Sequence, residues 1–417
     1  MSDTVKLGPF TAGMNNIADE SSLPEGSLRK AMNVDIDDAG NVRRRKGFTQ
    51  VYSGTDIHSL HEGYFVEGTD LKYIDGAFNV TTQATGLSGE RISICNLNDE
   101  YIFADSTVIY YVDGSDFGVE DPYGSLLLGI TNGSLPTGKY LVSVLFRSPS
   151  TGEMSGATNS VEIELTSPGG VTVSNIPQPV GAYEISVYMN TTDSEDLYYV
   201  GSYPKGTTSV TIPSHKVNKH VLSTLNKNRM VGGHILRYFK GRLYAAQDEI
   251  LWFSEPHRYG LTDYTSNFFM FPTKITVVQA VTDGLYIVAD KTYFLAGSNP
   301  LENSLTVVSE DTAVPNTGLT IEAGNLGLQE NVTGETAFWY GSKGGVLGLP
   351  GGRIIEYSKD RLSVPVDAVN GTTMYSEEDG IHRLTTVIST GGSRTKSTIG
   401  ASDDVVAQHI RNGVVLN

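Results

Sequence analysis

Short runs in which apolar and polar residues alternate recur along most of the chain. A period of two is the pattern of a half-buried β-strand, whereas an amphipathic helix repeats its apolar positions every three to four residues. The run Val161-Glu162-Ile163-Glu164-Leu165 alternates strictly, and 46 glycines supply turns between such runs. We therefore predict an all-β protein of short strands and tight turns. The one exception is a short helix predicted after the Pro24-Glu25-Gly26 turn.

Residues 32–48 have the pattern of a β-hairpin. Val34 and Ile36 alternate with polar neighbours, and Val42 restarts the pattern after Asp38-Ala39-Gly40-Asn41. These four residues have turn chemistry, and Gly40 is free to adopt a positive φ. We assign 1–50 as an N-terminal arm and hairpin, and the arm suits either a segment that lies on a neighbouring subunit or a partly ordered tail.

A unit of strand, polar turn, strand, small turn and strand repeats along the chain. Equivalent positions lie near Gly63, Glu100, Gly241, Gly284, Glu335 and Thr372. The intervals are 37, 141, 43, 51 and 37 residues, and all but the second are close to the length of a propeller blade. We therefore predict a six-bladed β-propeller, with two blades in 51–121 and four in 219–417.

The long interval holds a different pattern, at 122–218. About seven short strands follow one another there, among them 139–146, 183–189 and 198–203. This density of strands favours a β-sandwich of the fibronectin-III or immunoglobulin type. We predict that the sandwich is an independent unit inserted between the second and third blades, since insertions are tolerated at loop tips.

Several of these stretches resemble the β-propeller tail nozzle proteins of short-tailed phages, which include tail tubular protein B and the packaged-DNA stabilisation proteins. The N-terminal part of the resemblance is Gly13-Met14-Asn15, then the Gly40 turn and the Arg-rich run that ends at Gly47. The later part is Gly241-Arg242-Leu243-Tyr244-Ala245-Ala246 followed by Trp252-Phe253-Ser254-Glu255-Pro256. The resemblance covers the blade segments and extends to the sandwich only by architecture.

The resemblance implies a structural protein of the virion tail, made in the host cytoplasm. Such proteins form a ring, here expected to contain six copies, that continues the DNA channel below the portal and adaptor. The ring retains packaged DNA and lets it pass on ejection, and it contacts tail fibre or needle proteins. We expect no enzymatic activity and no cofactor. The alternative is a glycan- or receptor-binding propeller protein of the tail.

The candidate subunit contacts lie in the N-terminal arm and hairpin. Phe10 and Met14 would anchor the arm on a neighbour by apolar burial. Arg43, Arg44 and Arg45 would contact an acidic neighbour or DNA, although side chains along a strand alternate between its two faces. A solvated strand with one or two interface contacts is the plainer interpretation of this basic run.

The net charge of −17 argues against a protein that holds nucleic acid by neutralising phosphates. It suits a conduit that lets duplex DNA pass, and we expect the channel surface to be richer in Asp and Glu than in Lys and Arg. The first residues do not form a signal peptide. No apolar run reaches the roughly 18 residues of a membrane-spanning helix.

Candidate chemistry elsewhere is weak. Asp35, Asp37 and Asp38 resemble part of a calcium loop but are not followed by its glutamate, so a solvated turn is favoured. His58 and His61 lie three residues apart, but in a strand and turn, where metal ligation is not favoured. The single cysteine, Cys95, suits a small core residue.

Four aromatic residues, Trp252, Phe253, Trp339 and Tyr340, suit either a sugar-binding platform or a strand core, with the core favoured. The chain has no Gly-x-Ser-x-Gly elbow, P-loop or His-Glu-x-x-His motif.

Overall fold

The chain forms many small β-sheets, as the computed structural model shows. It describes residues 8–31, 34–36, 39–44, 49–192, 194–326, 332–358, 368–378, 381–390, 405–411 and 414–416. Within these ranges every strand pairing is antiparallel except one, and the only helices are three short 3-10 helices, Glu20–Ser22, Ala323–Leu326 and Pro350–Gly352. The prediction of an all-β protein is confirmed.

The N-terminal segment forms two pairs of short strands. They are β1 (Gly13–Met14) with β2 (Ser27–Leu28), and β3 (Val34–Ile36) with β4 (Val42–Arg44). The second pair is the predicted hairpin, and Gly40 has φ +77°. The helix predicted after Gly26 is wrong, because the carbonyl of Leu28 accepts a 2.8 Å bond from the Asn15 amide and holds this segment in a strand.

Two sheets precede the predicted sandwich. Sheet I contains β5 (Ile57–His61), β6 (Tyr64–Glu67), β7 (Asp70–Ile74) and β8 (Val80–Ala84), and sheet II contains β9 (Ser93–Leu97), β10 (Glu100–Ala104) and β11 (Ile109–Tyr111). Each is a meander in which every strand pairs with the next one along the chain.

The next eight strands form two further sheets that pack face to face. They are β12 (Leu127–Leu135), β13 (Gly138–Arg147), β14 (Met154–Ala157), β15 (Val161–Leu165), β16 (Gly169–Ser174), β17 (Glu184–Met189), β18 (Tyr198–Tyr203) and β19 (Ser209–Ile212). One sheet has the order β12-β16-β19, and the other contains β14, β15, β13, β17 and β18. We call these two sheets the two-sheet unit.

One apolar core fills the space between the two sheets. Val171 and Val210 contribute from the first sheet, and Val142, Phe146 and Val187 from the second. The sequence analysis named six of the strands and missed β12 and β14. The strand β12 was missed because small and polar residues fill its second half and five of its nine residues are exposed.

The chain after the two-sheet unit forms one two-stranded pair and four more meander sheets. The strands are β20 (Asn228–Arg229), β21 (Ile235–Phe239), β22 (Arg242–Gln247), β23 (Ile250–Phe253), β24 (Leu261–Thr262), β25 (Phe268–Met270), β26 (Val277–Val281), β27 (Gly284–Val288), β28 (Thr292–Ala296), β29 (Leu305–Ser309), β30 (Leu319–Glu322), β31 (Glu335–Gly341), β32 (Gly344–Leu349), β33 (Arg353–Glu356), β34 (Ala368–Glu378), β35 (Ile381–Thr390), β36 (Val405–Arg411) and β37 (Val414–Leu416). Sheet III is β21-β22-β23-β25, and β24 pairs instead with β20. Sheets IV, V and VI are β26–β29, β30–β33 and β34–β37.

Each successive pair of meander sheets buries a separate apolar cluster. Fully buried representatives, in order from the I–II interface to the V–VI interface, are Phe103, Leu243, Leu285, Trp339 and Leu384. The first strands of successive sheets also lie side by side, in the order β5, β9, β21, β26, β30 and β34. We call sheets I–VI, stacked in chain order, the six-sheet array.

The repeat positions read from the sequence are largely correct. Gly63, Glu100, Gly241, Gly284 and Glu335 each lie at or beside the turn between the first and second strands of their sheets. The sixth position is wrong, because Thr372 lies inside β34 and pairs with Val387.

Candidate functional site

The N-terminal arm and hairpin are bonded to each other within the chain. The amide of Phe10 donates to the carbonyl of Gly40 at 2.8 Å. A Cβ added at Gly40 would lie 2.5 Å from that amide nitrogen, so this close approach requires glycine. Phe10 and Met14 are both half-buried, and Met14 pairs with Leu28. The two proposed anchors therefore already have contacts inside their own chain.

The basic run begins on β4, the second strand of the hairpin. Arg43 and Arg44 are exposed on β4, and Arg45 lies outside the described residues. The interpretation of Asp35 as a solvated turn residue is wrong, because Asp35 is 5% exposed and its carboxylate lies 3.3 Å from the Arg383 guanidinium. This ion pair connects the hairpin to β35 of sheet VI, while Asp37 and Asp38 are outside the described residues.

The residues 241–246 and 252–256 form a clasp between two strands. The buried Arg242 guanidinium donates to the Ser254 carbonyl at 2.6 Å and lies over the Phe253 ring. The Ser254 hydroxyl accepts a 2.9 Å bond from the Leu243 amide. The amide of His257 then bonds the Gly241 carbonyl. These hydrogen bonds therefore hold the loop between β23 and β25 in one conformation.

That loop forms part of a charged junction with the two-sheet unit. Lys227, on the returning chain, places its ammonium 2.8 Å from Glu255 and 3.1 Å from Asp263. The Asp121 carboxylate accepts from the Gly156 amide at 3.0 Å and from the Arg229 amide at 2.7 Å. One carboxylate thus fixes both the departure of the chain into the unit and its return.

The junction continues beyond the predicted boundary at 218. The carbonyl of Thr224 accepts a bond from the Ala157 amide, and the Leu222 amide bonds the Leu197 carbonyl. The chain therefore stays attached to the two-sheet unit to about residue 224. A Cβ added at Gly156 would lie 2.0 Å from the Lys227 carbonyl oxygen, so β14 and the returning chain are in close contact. The sequence marked Asp121-Pro122 only as a turn, since its partners lie far along the chain.

The pKa values of the acidic residues at the junction are shifted in different directions. Burial raises the pKa of Asp121 against the opposing effect of its backbone donors, and burial likewise raises the pKa of Glu153 against the attraction of Arg229. At Asp263, burial would also raise the pKa, but bonds from Thr265 and Lys227 outweigh it and lower the pKa to about 2. The charged form is therefore favoured at Asp263, where the Lys227 ammonium adds to the hydrogen-bond donors, but not at Asp121, where burial outweighs two backbone amides.

The aromatic residues considered for a sugar platform lie mainly in the core. Phe253 is 0% exposed, and Trp339 and Tyr340 are each 1% exposed. Trp252 is half-buried, with its ring against Tyr264 and Phe268. The core interpretation is confirmed for the first three, and it is confirmed for Cys95, which is 7% exposed. These aromatics do not form an accessible platform.

Within the described ranges, no three His, Cys, Asp or Glu side chains group closely enough to hold a metal ion. No helix among the described residues has the length and apolar character to cross a membrane.

Comparison with known proteins leaves the family open. No protein-family model matches the chain, and no curated protein matches it. Among solved structures, it is similar to the crystal structure of BBS1N in complex with ARL6DN, soaked with lead, at 11% identity and a TM-score of 0.29. That match covers 83% of this chain and 93% of the other chain. Because the TM-score is so low, the likeness carries no argument about function.

Proposed function

We propose that this chain is a structural protein of a phage tail that forms a ring-shaped nozzle. In this proposal sheets I–VI are the blades of a six-bladed β-propeller, and the two-sheet unit is an inserted fibronectin-III-like or immunoglobulin-like sandwich. The ring would continue the DNA channel below the portal and adaptor, retain packaged DNA and let it pass on ejection.

The observation that supports this proposal most is the order of the sheets. Two meander sheets precede the two-sheet unit and four follow it, and each meander buries a separate core against the next. Radial stacking of small antiparallel sheets is the way a propeller buries both faces of each blade. The clasp around Arg242 gives a structural reason for the motif that resembles nozzle blades.

Assembly tests the proposal. We expect the purified chain to form six-copy rings, alone or when mixed with a portal–adaptor complex, by native mass spectrometry and negative-stain electron microscopy. A chain that stays monomeric in both conditions contradicts the proposal.

The basic strand provides the variant for this test. The double substitution R43E/R44E should weaken the ring if β4 contributes to the interface, because both side chains are exposed and reversing their charge leaves the core intact. The matched control is K216E/K219E, which reverses two exposed charges on the segment that follows β19.

The proposed conduit role predicts how the ring interacts with free duplex DNA. Each copy carries a net charge of −17, so a ring has a field of one sign, although screening limits its reach to about 8 Å at physiological salt. We expect no binding of free duplex DNA at moderate salt in a gel-shift assay. Tight, salt-sensitive binding would overturn the conduit role without affecting the assembly result.

A further inference from the structure

Polar side chains join the first strands of four successive sheets. In order, they are Ser93 on β9, Arg237 on β21, Gln279 on β26 and Thr320 on β30. Arg237 Nη1 donates to the Ser93 hydroxyl at 3.5 Å, and Arg237 Nε donates to Gln279 Oε1 at 3.3 Å. The Thr320 hydroxyl donates to the same Gln279 oxygen at 3.1 Å. We call these four side chains the inner polar chain.

The charge of Arg237 is not balanced by a carboxylate of the described residues. All of its hydrogen-bond acceptors are neutral, and the shortest bond goes from Nη1 to the Leu236 carbonyl at 2.7 Å. Within the described residues Nη2 makes no hydrogen bond and no acid lies within ion-pair distance of the guanidinium. The surrounding protein lowers the pKa of Arg237, as expected when a cation loses water without gaining an anion.

His61, at the end of β5, lies within electrostatic reach of this guanidinium. The imidazole keeps an exposed edge but is surrounded closely enough for burial to lower its pKa. Glu62 raises that pKa and Arg237 lowers it. The Glu62 carboxylate accepts a bond from the Tyr101 hydroxyl, whose ring lies 6.5 Å from the imidazole. A bound anion would change the balance of charge that His61 feels.

A second arginine lies just before the first strand of sheet II. Arg91 is exposed and donates to the Asn370 side chain at 3.5 Å, and within the described residues it has no ion pair. Asn370 is on β34, and its oxygen also accepts a 2.8 Å bond from Asn316. Among the described residues, two arginines without an acidic partner therefore lie on or just before the first strands, in a chain with a net charge of −17.

We propose that Arg237 anchors a binding site for a small carboxylate between the first strands of the array. The free N–H donors of Nη2 would bond the carboxylate oxygens, which is the anion geometry that guanidinium groups suit best. A singly charged carboxylate matches one uncompensated arginine, whereas a dianionic phosphate would bring a second negative charge for which the described residues supply no further cation beside Arg237. This site is separate from the nozzle role and does not depend on it.

Calorimetric titration of the full chain with acetate tests the site, with inorganic phosphate at equal ionic strength as the comparison. We expect saturable binding of one acetate per chain, weakened about tenfold or more in R237Q. R147Q makes the same change in net charge at an exposed site on β13 and should bind as the unchanged chain does. Equal weakening in both variants, no saturable binding, or tighter binding of phosphate would overturn the proposal.

A second measurement keeps the test valid if R237Q does not fold. R237K retains the charge but loses the fork of donors, so it should also lose most of the affinity for acetate. In the unchanged chain, the imidazole of His61, assigned by the NMR signal missing in H61Q, should show a higher pKa when acetate is saturating. An unchanged pKa would overturn the placement of the anion near Arg237.

Discussion

The two-sheet unit and the six-sheet array bury their apolar residues in different ways. In the two-sheet unit one cluster fills the space between two sheets, and edge strands such as β15 alternate between partly buried and exposed positions. In the array, five clusters lie between successive sheets, and central strands such as β27 are buried at every position.

This difference predicts which strands unfold together. A single core couples seven of the eight strands of the two-sheet unit directly, and β14 packs against a smaller second cluster around Leu145. In the array, each sheet is stabilised by the separate interfaces with its neighbouring sheets, as the units of a repeat protein are. The two regions meet at the charged junction, where Asp121 and Lys227 connect them. Changes in the core should therefore stay within one region, while changes at the junction should alter how the two regions unfold together.

The largest expected effect comes from removing the two-sheet unit. Replacing 122–218 with a short Gly-Ser linker should leave a soluble array that has lost one thermal transition. The reason is that, among the described residues, the five clusters of the array take no member from 122–218. Size-exclusion chromatography and calorimetry measure the outcome, and aggregation of the remainder would show that the unit is integral to the array.

A core substitution tests whether damage stays local. Phe146 is 2% exposed inside the single cluster, so F146A should cost about 3–5 kcal/mol. We expect the transition of the two-sheet unit to fall sharply and that of the array to stay in place. V307A, at an exposed position on β29, is the control and should change stability by less than about 0.5 kcal/mol. Equal shifts of both transitions in F146A would refute separate cores.

The junction substitution D121A should have an intermediate effect. Removing this carboxylate leaves the amides of Gly156 and Arg229 without their acceptor, at about 1–3 kcal/mol for each buried group. We expect the two transitions to separate further in calorimetry. D121N retains one side-chain oxygen acceptor and should have a smaller effect. Unchanged transitions in D121A would mean that the junction does not couple the regions.

The smallest effect is expected at Glu153, whose pKa burial raises. A carboxyl with a folded pKa above its unfolded pKa loses stability as the pH rises between those values, and the penalty is complete above the folded pKa. E153Q removes the penalty, so its melting temperature should exceed that of the unchanged chain at pH 7. The difference should disappear near pH 4 or below, where both side chains are neutral. The control E162Q alters an exposed ion pair with Lys139 and should show little change.

Local sequence patterns by themselves determined the strands and their order. The alternation in 161–165 and 209–212 matches β15 and β19, and the repeated turns at Gly63, Gly241 and Gly284 match three of the meander turns. These features are predictable because side-chain periodicity and turn chemistry depend on neighbours in the chain. Where that local signal was weak, as in the polar strand β12 and the segment after Gly26, the prediction failed.

Tertiary structure alone decided the contacts between distant segments. Asp121 meets an amide 35 residues away and another 108 residues away, and Asp35 meets Arg383 across 348 residues. Arg237 occupies an ordinary strand position in the sequence, and its uncompensated charge is visible only once β9, β21 and β26 lie side by side. Burial and charge pairing depend on which strands become neighbours in space, and sequence periodicity does not specify those neighbours.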